Sequence, residues 1–272
     1  MERPGVTLSI LAFQFLKAPI ESVGYNLEMA DFAPGVIEIA SAGVSTKVAS
    51  SETRQRWFEL GLVLLVAFGG SLVNALYLLK NGPGASPLQT SGRWVFGTVH
   101  EISALLVLGY VLARRGLRFK DLGLRWSLRD FGAGLLVTGA SFTSYLLGWT
   151  LIQWIHHAAY SSLATPPIGR DFFAHPTMAV IPFILLNPFF EELIVRAYLM
   201  SEVLDLTRSP SLAVTMSVVV QFSYHLYYGW VGALSLSFQF LVFALYYARS
   251  RRAGPIIVAH GLFDILGVLQ LR

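Results

Sequence analysis

Cysteine is absent from the 272-residue chain. That removes disulfides, thiolate metal sites and cysteine nucleophiles together. Charge is scarce as well: Asp, Glu, Lys and Arg make up 13% of the residues, against about 25% in a soluble globular domain. No internal repeat, heptad pattern or glycine-rich phosphate loop occurs, and low complexity is confined to the Gly/Pro/Ser stretch 81–92. What the chain does have is apolar residues, 54% of the total, and a mean hydropathy of +0.59. This balance assigns the membrane class before any motif is read. The net charge of +4 comes without a basic stripe interleaved with aromatics, so nucleic acid is not expected as a partner. The arginines instead flank apolar runs, as cytoplasmic membrane flanks do.

The apolar runs predict an all-α, polytopic helical membrane bundle of about seven transmembrane helices. The expected spans are Trp57–Leu79, Trp94–Ala113, Asp130–Ile155, a fourth from near Pro176 that carries two acids at its far end, Ser211–Tyr228, Val231–Ala248 and Gly254–Leu271. Residues 57–272 form the membrane domain. Residues 1–56 are read as a cytoplasmic segment, partly disordered: a surface helix, Val6–Leu16, too short to span and a poor signal peptide, then a loose tail ending in the polar SSETRQR. Met29 is an alternative start. Lys and Arg concentrate in the second-to-third loop (Arg114, Arg115, Arg118, Lys120, Arg125, Arg129), the sixth-to-seventh loop (Arg249, Arg251, Arg252), the N-terminal tail (Lys47, Arg54, Arg56) and the fourth-to-fifth turn (Arg208). With seven spans, these all fall on one side. The expected placement is therefore a multi-pass protein of the cell (plasma) membrane with a cytoplasmic N-terminus.

Ionisable groups at membrane depth are costly and mark functional sites by default. Here they are Glu59, His100, Glu101, Glu191, Glu192, Arg196, His225, His260 and Asp264. The last six come from three separate spans. Glu192 and Arg196 stand at i and i+4 and can pair on one helix face. Glu191 lies about 100° further round an α-helix, so it is expected to point away from that pair and meet another helix. His260 and Asp264 are again i and i+4, which lets Asp264 orient the imidazole. His225 sits in QFSYHLYYG, where Tyr224, Tyr227 and Tyr228 read as packing residues or an interfacial belt. His100 and Glu101 read as structural hydrogen-bonding residues, with substrate contact as the other reading.

Two chemistries use such a set. Glu191 can act as a general base on water that His225 helps to hold, with His260 and Asp264 facing the developing oxyanion. Alternatively, Glu191, His225 and His260 can hold zinc with an open fourth position. Either route ends in hydrolysis of an amide by activated water. Other intramembrane machineries are missing: His100-Glu101 is not followed by the second histidine of HExxH, no GxGD motif occurs, and Gly139-Ala140-Ser141-Phe142 lacks the second glycine of a GxSG motif.

Glu191-Glu192-Leu-Ile-Val-Arg196 resembles the EExxxR motif of the CAAX protease and bacteriocin-processing family of intramembrane endopeptidases, also called CPBP or Abi. His260-Gly-Leu-Phe-Asp264 is similar to its HxxxN/HxxxD motif, and the helix with His225 to its FxxxH motif. Gln221 stands where that motif has Phe, and Phe222 follows one place late. The loop Arg114–Arg125 also resembles the one before the core in bacterial members, so the likeness covers about 57–272. It implies an intramembrane peptidase of glutamate type. Glu191 and His225 would position the attacking water and His260 and Asp264 would stabilise the oxyanion, with Glu192 and Arg196 in support. No metal is required, though zinc is an option. The implied partners are a peptide or membrane-protein substrate and the bilayer. Asp264 occupies the place of an Asn in the prenyl-protein enzymes; an ionised carboxylate cannot donate to an oxyanion, so it would be protonated or act through His260. The readings that compete with hydrolysis are a non-catalytic scaffold or chaperone of the same fold, and a solute or proton-coupled transporter. No inverted repeat favours the transporter.

Overall fold

The computed structural model describes residues 39–81, 92–159 and 178–269, with side chains over 51–81, 92–155 and 178–269. The chain divides into two compact units, Met1–Thr46 and Lys47–Arg272, and the packing described below lies within the second. In order, the elements are α1 (Ile39–Asn81), α2 (Gly92–Arg114), a 3₁₀ turn (Phe119–Leu122), α3 (Leu128–Ala159), α4 (Val180–Glu191), a π-helical stretch (Glu192–Tyr198), α5 (Leu199–Thr207), α6 (Pro210–Tyr224), a second 3₁₀ turn (His225–Tyr228), α7 (Gly229–Ser250) and α8 (Gly254–Leu269). Among the described residues there is no strand, and the molecule is a helical membrane bundle.

Every expected span is helical where it is described. Four stretches are long and apolar enough to cross a bilayer, namely Ser51–Asn81, Gly92–Arg114, Leu128–Ile155 and the run Pro210–Ser250. That last run is two helices. The chain turns at Gly229, whose φ of 76° suits a residue without Cβ, and α6 and α7 then pack on each other. The 15 residues of α6 extend only about 22 Å at 1.5 Å per residue, short of a hydrocarbon core of about 30 Å. The fourth span falls outside the four because its own acids and arginine interrupt it. Its expected start at Pro176 and the surface helix Val6–Leu16 lie outside the described residues.

Two differences from expectation concern helix length. Residues 39–56 are helical and continuous with the first span, where a loose polar tail is expected. Their polar groups find partners: Gln55 donates to Glu59 one turn on, and Arg56 pairs with Glu202 at 2.9 Å. The fourth span also does not stop near its acids. It continues as helix from Glu191 to Thr207, about as far as α6 runs back from Pro210 to Tyr224. The end of α6 is thereby carried to the level of Glu191. The turn between them is built locally: Arg208 closes α5 at φ 58°, and Ser209 caps α6 ahead of Pro210 by accepting from the Leu212 N–H.

Outward faces of the long helices are apolar. Phe58, Leu65, Phe96, Leu106, Leu136 and Leu147 are all exposed, an arrangement suited to lipid and costly in water. Inside, small residues let helices approach. A Cβ on Gly148 would stand 2.3 Å from the Phe238 ring, and one on Gly134 would meet Val258 at 2.6 Å; α3 therefore lies close against α7 and α8, as small residues allow in membrane bundles. The arginine-rich segments gather at one end. Arg115 pairs with Glu59 and, at 2.8 Å, with Glu202, and Arg114 stands 3.4 Å from Glu59. Arg252 pairs with Asp130 at 2.8 Å, and the Ala253 N–H reaches the Gly123 carbonyl. Glu59 therefore belongs to this ionic end and not to the group around Glu191.

Candidate active site

The two acids lie where the helix changes pitch. The Leu199 N–H reaches back to Ile194 O, five residues earlier, and such i→i+5 turns recur at functional sites. A π turn spreads each revolution over more residues, so consecutive side chains diverge less than on an α-helix. Glu191, at the end of the α-helical part, and Glu192, at the start of the π stretch, both border one histidine. His260 Nδ1 lies 2.8 Å from Glu192 Oε1, and its Nε2 lies 3.9 Å from Glu191 Oε2. Both acids and His260 are buried.

Arg196 stands beneath them and is fully enclosed. Its Nε comes within 3.3 Å of Glu192 Oε2 without the alignment of a hydrogen bond. Its Nη1 donates to Gln221 Oε1, and the guanidinium lies over Phe240 and Phe243 at 5.3 and 5.8 Å from the ring centroids. The Gln221 amide nitrogen in turn donates to Glu191 Oε2, which also receives the Tyr224 hydroxyl at 2.8 Å. Phe68 of α1 stacks on the Tyr224 ring with 4.4 Å between centroids and backs that hydroxyl. Gln221, fully buried, thus links Arg196 to Glu191. A phenylalanine at this place would leave both without that partner.

His225 is held by its own helix. Its Nδ1 lies 2.9 Å from the Gln221 carbonyl; a carbonyl only accepts, so Nδ1 carries the proton and Nε2 keeps its lone pair. The ring packs among Tyr224, Tyr227, Tyr228 and Phe240. Among the described residues no hydrogen bond or ion pair joins it to the acids. The zinc set expected with His225 is corrected accordingly: the donors that gather are Glu191, Glu192 and His260, all within 4.8 Å of one another. That spread suits a divalent cation with ligand distances of about 2 Å.

Asp264 also differs from expectation. The imidazole Nδ1 is taken by Glu192, and Asp264 stands on the other side, 3.7 Å from Nε2. Its Oδ2 receives the Asn187 side-chain amide at 3.1 Å. Glu192 is therefore the partner that orients His260, besides facing Arg196. Of the remaining buried polar groups, His100 bonds the Ala67 carbonyl at 2.8 Å and ties α2 to α1. Glu101 is buried with Oε2 unbonded among the described residues.

Three residues of the site carry no site role in the sequence reading: Asn187, Gln221 and Tyr224, the last read there as a packing or belt residue. Helical spacing places each of them. Asn187 is one turn before Glu191, and Gln221 and Tyr224 are four and one residues before His225. A reading of whole helix faces around the motif residues would have collected Asn187 and Gln221, whereas Tyr224, next to His225, lies about 100° round the helix from it. The Gln221 link has a measurable consequence. Gln221→Leu strands the Arg196 Nη1 and removes one donor from Glu191, and each buried polar group left unpaired costs about 1–3 kcal/mol. The expected result is a lower melting temperature of the purified protein in detergent, read by thermal unfolding.

Residues 173–266 match the family model described as Rce1-like, type II CAAX prenyl endopeptidase Rce1-like. No curated protein matches the chain, and no solved structure does. The matched stretch is narrower than the likeness read from the sequence, yet it contains Glu191, Glu192, Arg196, His225, His260 and Asp264. Over the segment carrying the site the chain is thus similar to the Rce1-like family of CAAX-type proteases, in agreement with the resemblance of its motifs.

Proposed function

We propose that the chain is an intramembrane endopeptidase that hydrolyses a peptide bond with a water activated by Glu191. The observation that carries this reading is the meeting of Glu191 and His260 from different helices, 3.9 Å apart and buried. Both described hydrogen bonds to the Glu191 carboxylate fall on Oε2, which leaves Oε1 to take a water. Glu191 removes one proton from that water. The water oxygen bonds to the scissile carbonyl carbon, and the carbonyl electron pair moves onto oxygen. On collapse the C–N bond breaks and the leaving nitrogen takes the proton from Glu191. His225, with Nε2 as an acceptor, helps to hold the water; His260 and Asp264 line the oxyanion side, Glu192 fixes the His260 ring, and Arg196 holds Glu192.

If zinc were bound, Glu191, Glu192 and His260 would hold it, and it would supply Lewis-acid activation of the water. The proton transfers above require only the side chains. The substrate class is a peptide or membrane-protein segment; the family name makes a prenylated C-terminal peptide one candidate within it. The site faces the cytoplasm of a cell-membrane protein with a cytoplasmic N-terminus, a reading supported by the arginine-rich segments that meet at one end of the bundle. Comparing membrane peptides from cells making the wild-type chain with those from cells making Glu191→Gln tests the function. Peptides that depend on Glu191 are expected; identical peptide profiles at equal protein level would refute hydrolysis.

A further inference from the structure

The site is rich in acceptors and short of donors. The Tyr224 hydroxyl and the Gln221 amide are both directed at Glu191. Arg196 is fully enclosed between Glu192, Gln221 and two phenylalanines. His260 turns Nδ1 to Glu192, so in the neutral ring its Nε2 is another acceptor. Three carboxylates border that ring, Glu192 at Nδ1 and Glu191 and Asp264 at 3.9 and 3.7 Å from Nε2. A carbonyl oxygen that gains charge beside them would be repelled unless a donor faces it.

Asn187 is that donor by position and by chemistry. It lies on α4 one turn before Glu191, half-buried. Its Nδ2 stands 3.1 Å from Asp264 Oδ2 and 3.5 Å from His260 Nε2. The direction of the amide follows from its neighbour: a carboxylate only accepts, so the nitrogen and not the oxygen faces Asp264. One of the two Nδ2 hydrogens serves that bond, and the other has only the long 3.5 Å contact with His260 Nε2, from which a nearer and more charged acceptor can draw it. We infer that Asn187 presents the other to the scissile carbonyl oxygen as it becomes an oxyanion, and that Asp264 holds the amide in place. The inference rests on the hydrolytic reading above. It also gives the aspartate a purpose: with the neutral donor at 187, residue 264 serves as an acceptor that fixes it. Asp264 is then a positioning residue, and Asn187 is the group that touches the reacting atoms.

The test uses the full-length protein in liposomes and a synthetic peptide spanning a cleavage site found in the Glu191→Gln membrane comparison. Loss of one oxyanion donor lowers turnover by about 10²–10³-fold. Asn187→Ala is therefore expected to reduce kcat by that factor with KM within about threefold. Asn187→Asp removes the donor and opposes Asp264 with a like charge, so it should be at least as inactive. The exchange Asn187→Asp/Asp264→Asn keeps one amide bonded to one carboxylate and removes the like-charge repulsion of Asn187→Asp. It should regain at least about tenfold over Asn187→Asp, because a donor survives within a bond's length of its first place. Retention of kcat within about threefold in Asn187→Ala overturns the inference, as does a folded exchange variant no more active than Asn187→Asp. If Glu191→Gln itself changes no membrane peptide, the hydrolytic reading falls and this inference with it; if Glu191→Gln abolishes cleavage while Asn187→Ala does not, the inference falls alone.

Discussion

Glu191→Gln is expected to lower kcat by about 10²–10⁴-fold, the range that a positioned general base contributes, while the protein stays at wild-type level in the membrane. The second half of that expectation comes from the hydrogen bonds. Gln221 and Tyr224 both donate to Glu191 Oε2, and the carbonyl oxygen of a glutamine side chain accepts from both. The new amide nitrogen takes the place of Oε1, and neither of these two hydrogen bonds falls on that atom. The substitution therefore keeps the partners of the native side chain and removes only its capacity to take a proton from water. Turnover of the synthetic peptide, set beside quantification of the protein in isolated membranes, checks both parts. A scaffold of the same fold would keep its function through this change, so full function in Glu191→Gln would favour that reading.

Arg196→Met is expected to act on the fold itself. Arg196 and Glu192 are both completely shielded, and breaking a buried pair by removing one partner costs about 3–5 kcal/mol. The loss here is compound. Glu192 would keep only His260 as its cationic or donor partner, the Gln221 carbonyl oxygen would lose its donor, and Phe240 and Phe243 would lose the cation above them. The expected outcome is a large fall in thermal stability in detergent and a low yield in membranes. Adding Glu192→Gln to Arg196→Met removes the stranded charge, so the double variant should recover part of the lost stability. A melting temperature unchanged in Arg196→Met would contradict the pairing.

Much of this protein is legible from composition and periodicity. Scarce charge, apolar runs of span length and clustered arginines suffice for a helical membrane bundle, since a bilayer demands that backbone groups be satisfied within each segment. The order of the helices follows, because each apolar run is a local feature. The segments with Glu191, His260 and Asp264 stand out for the same reason, as polar groups are expensive at that depth. Boundaries are less legible. Helix α1 begins at Ile39 and not near Trp57; just before the span, Gln55 and Arg56 are bonded to Glu59 and Glu202, and Glu202 is distant in sequence.

The partners of each polar group are not legible in this way. An α-helical angle of about 100° separates Glu191 from Glu192, yet both border His260, which comes from a helix distant in sequence. The i, i+4 spacing of His260 and Asp264 suggests that the aspartate orients the ring, yet Glu192 from another helix takes Nδ1. Gln221 reads as a departure from a motif, and only its place between Arg196 and Glu191 makes it a link. The amino-acid sequence by itself determined the class, the helices and the residues that must be sheltered from lipid, because hydrophobicity and helical period act over a few turns of one chain segment. The tertiary structure alone decided which acid meets which base. Hydrogen bonds at about 3 Å depend on pitch, crossing and side-chain reach between helices far apart in the chain, and no local pattern encodes them.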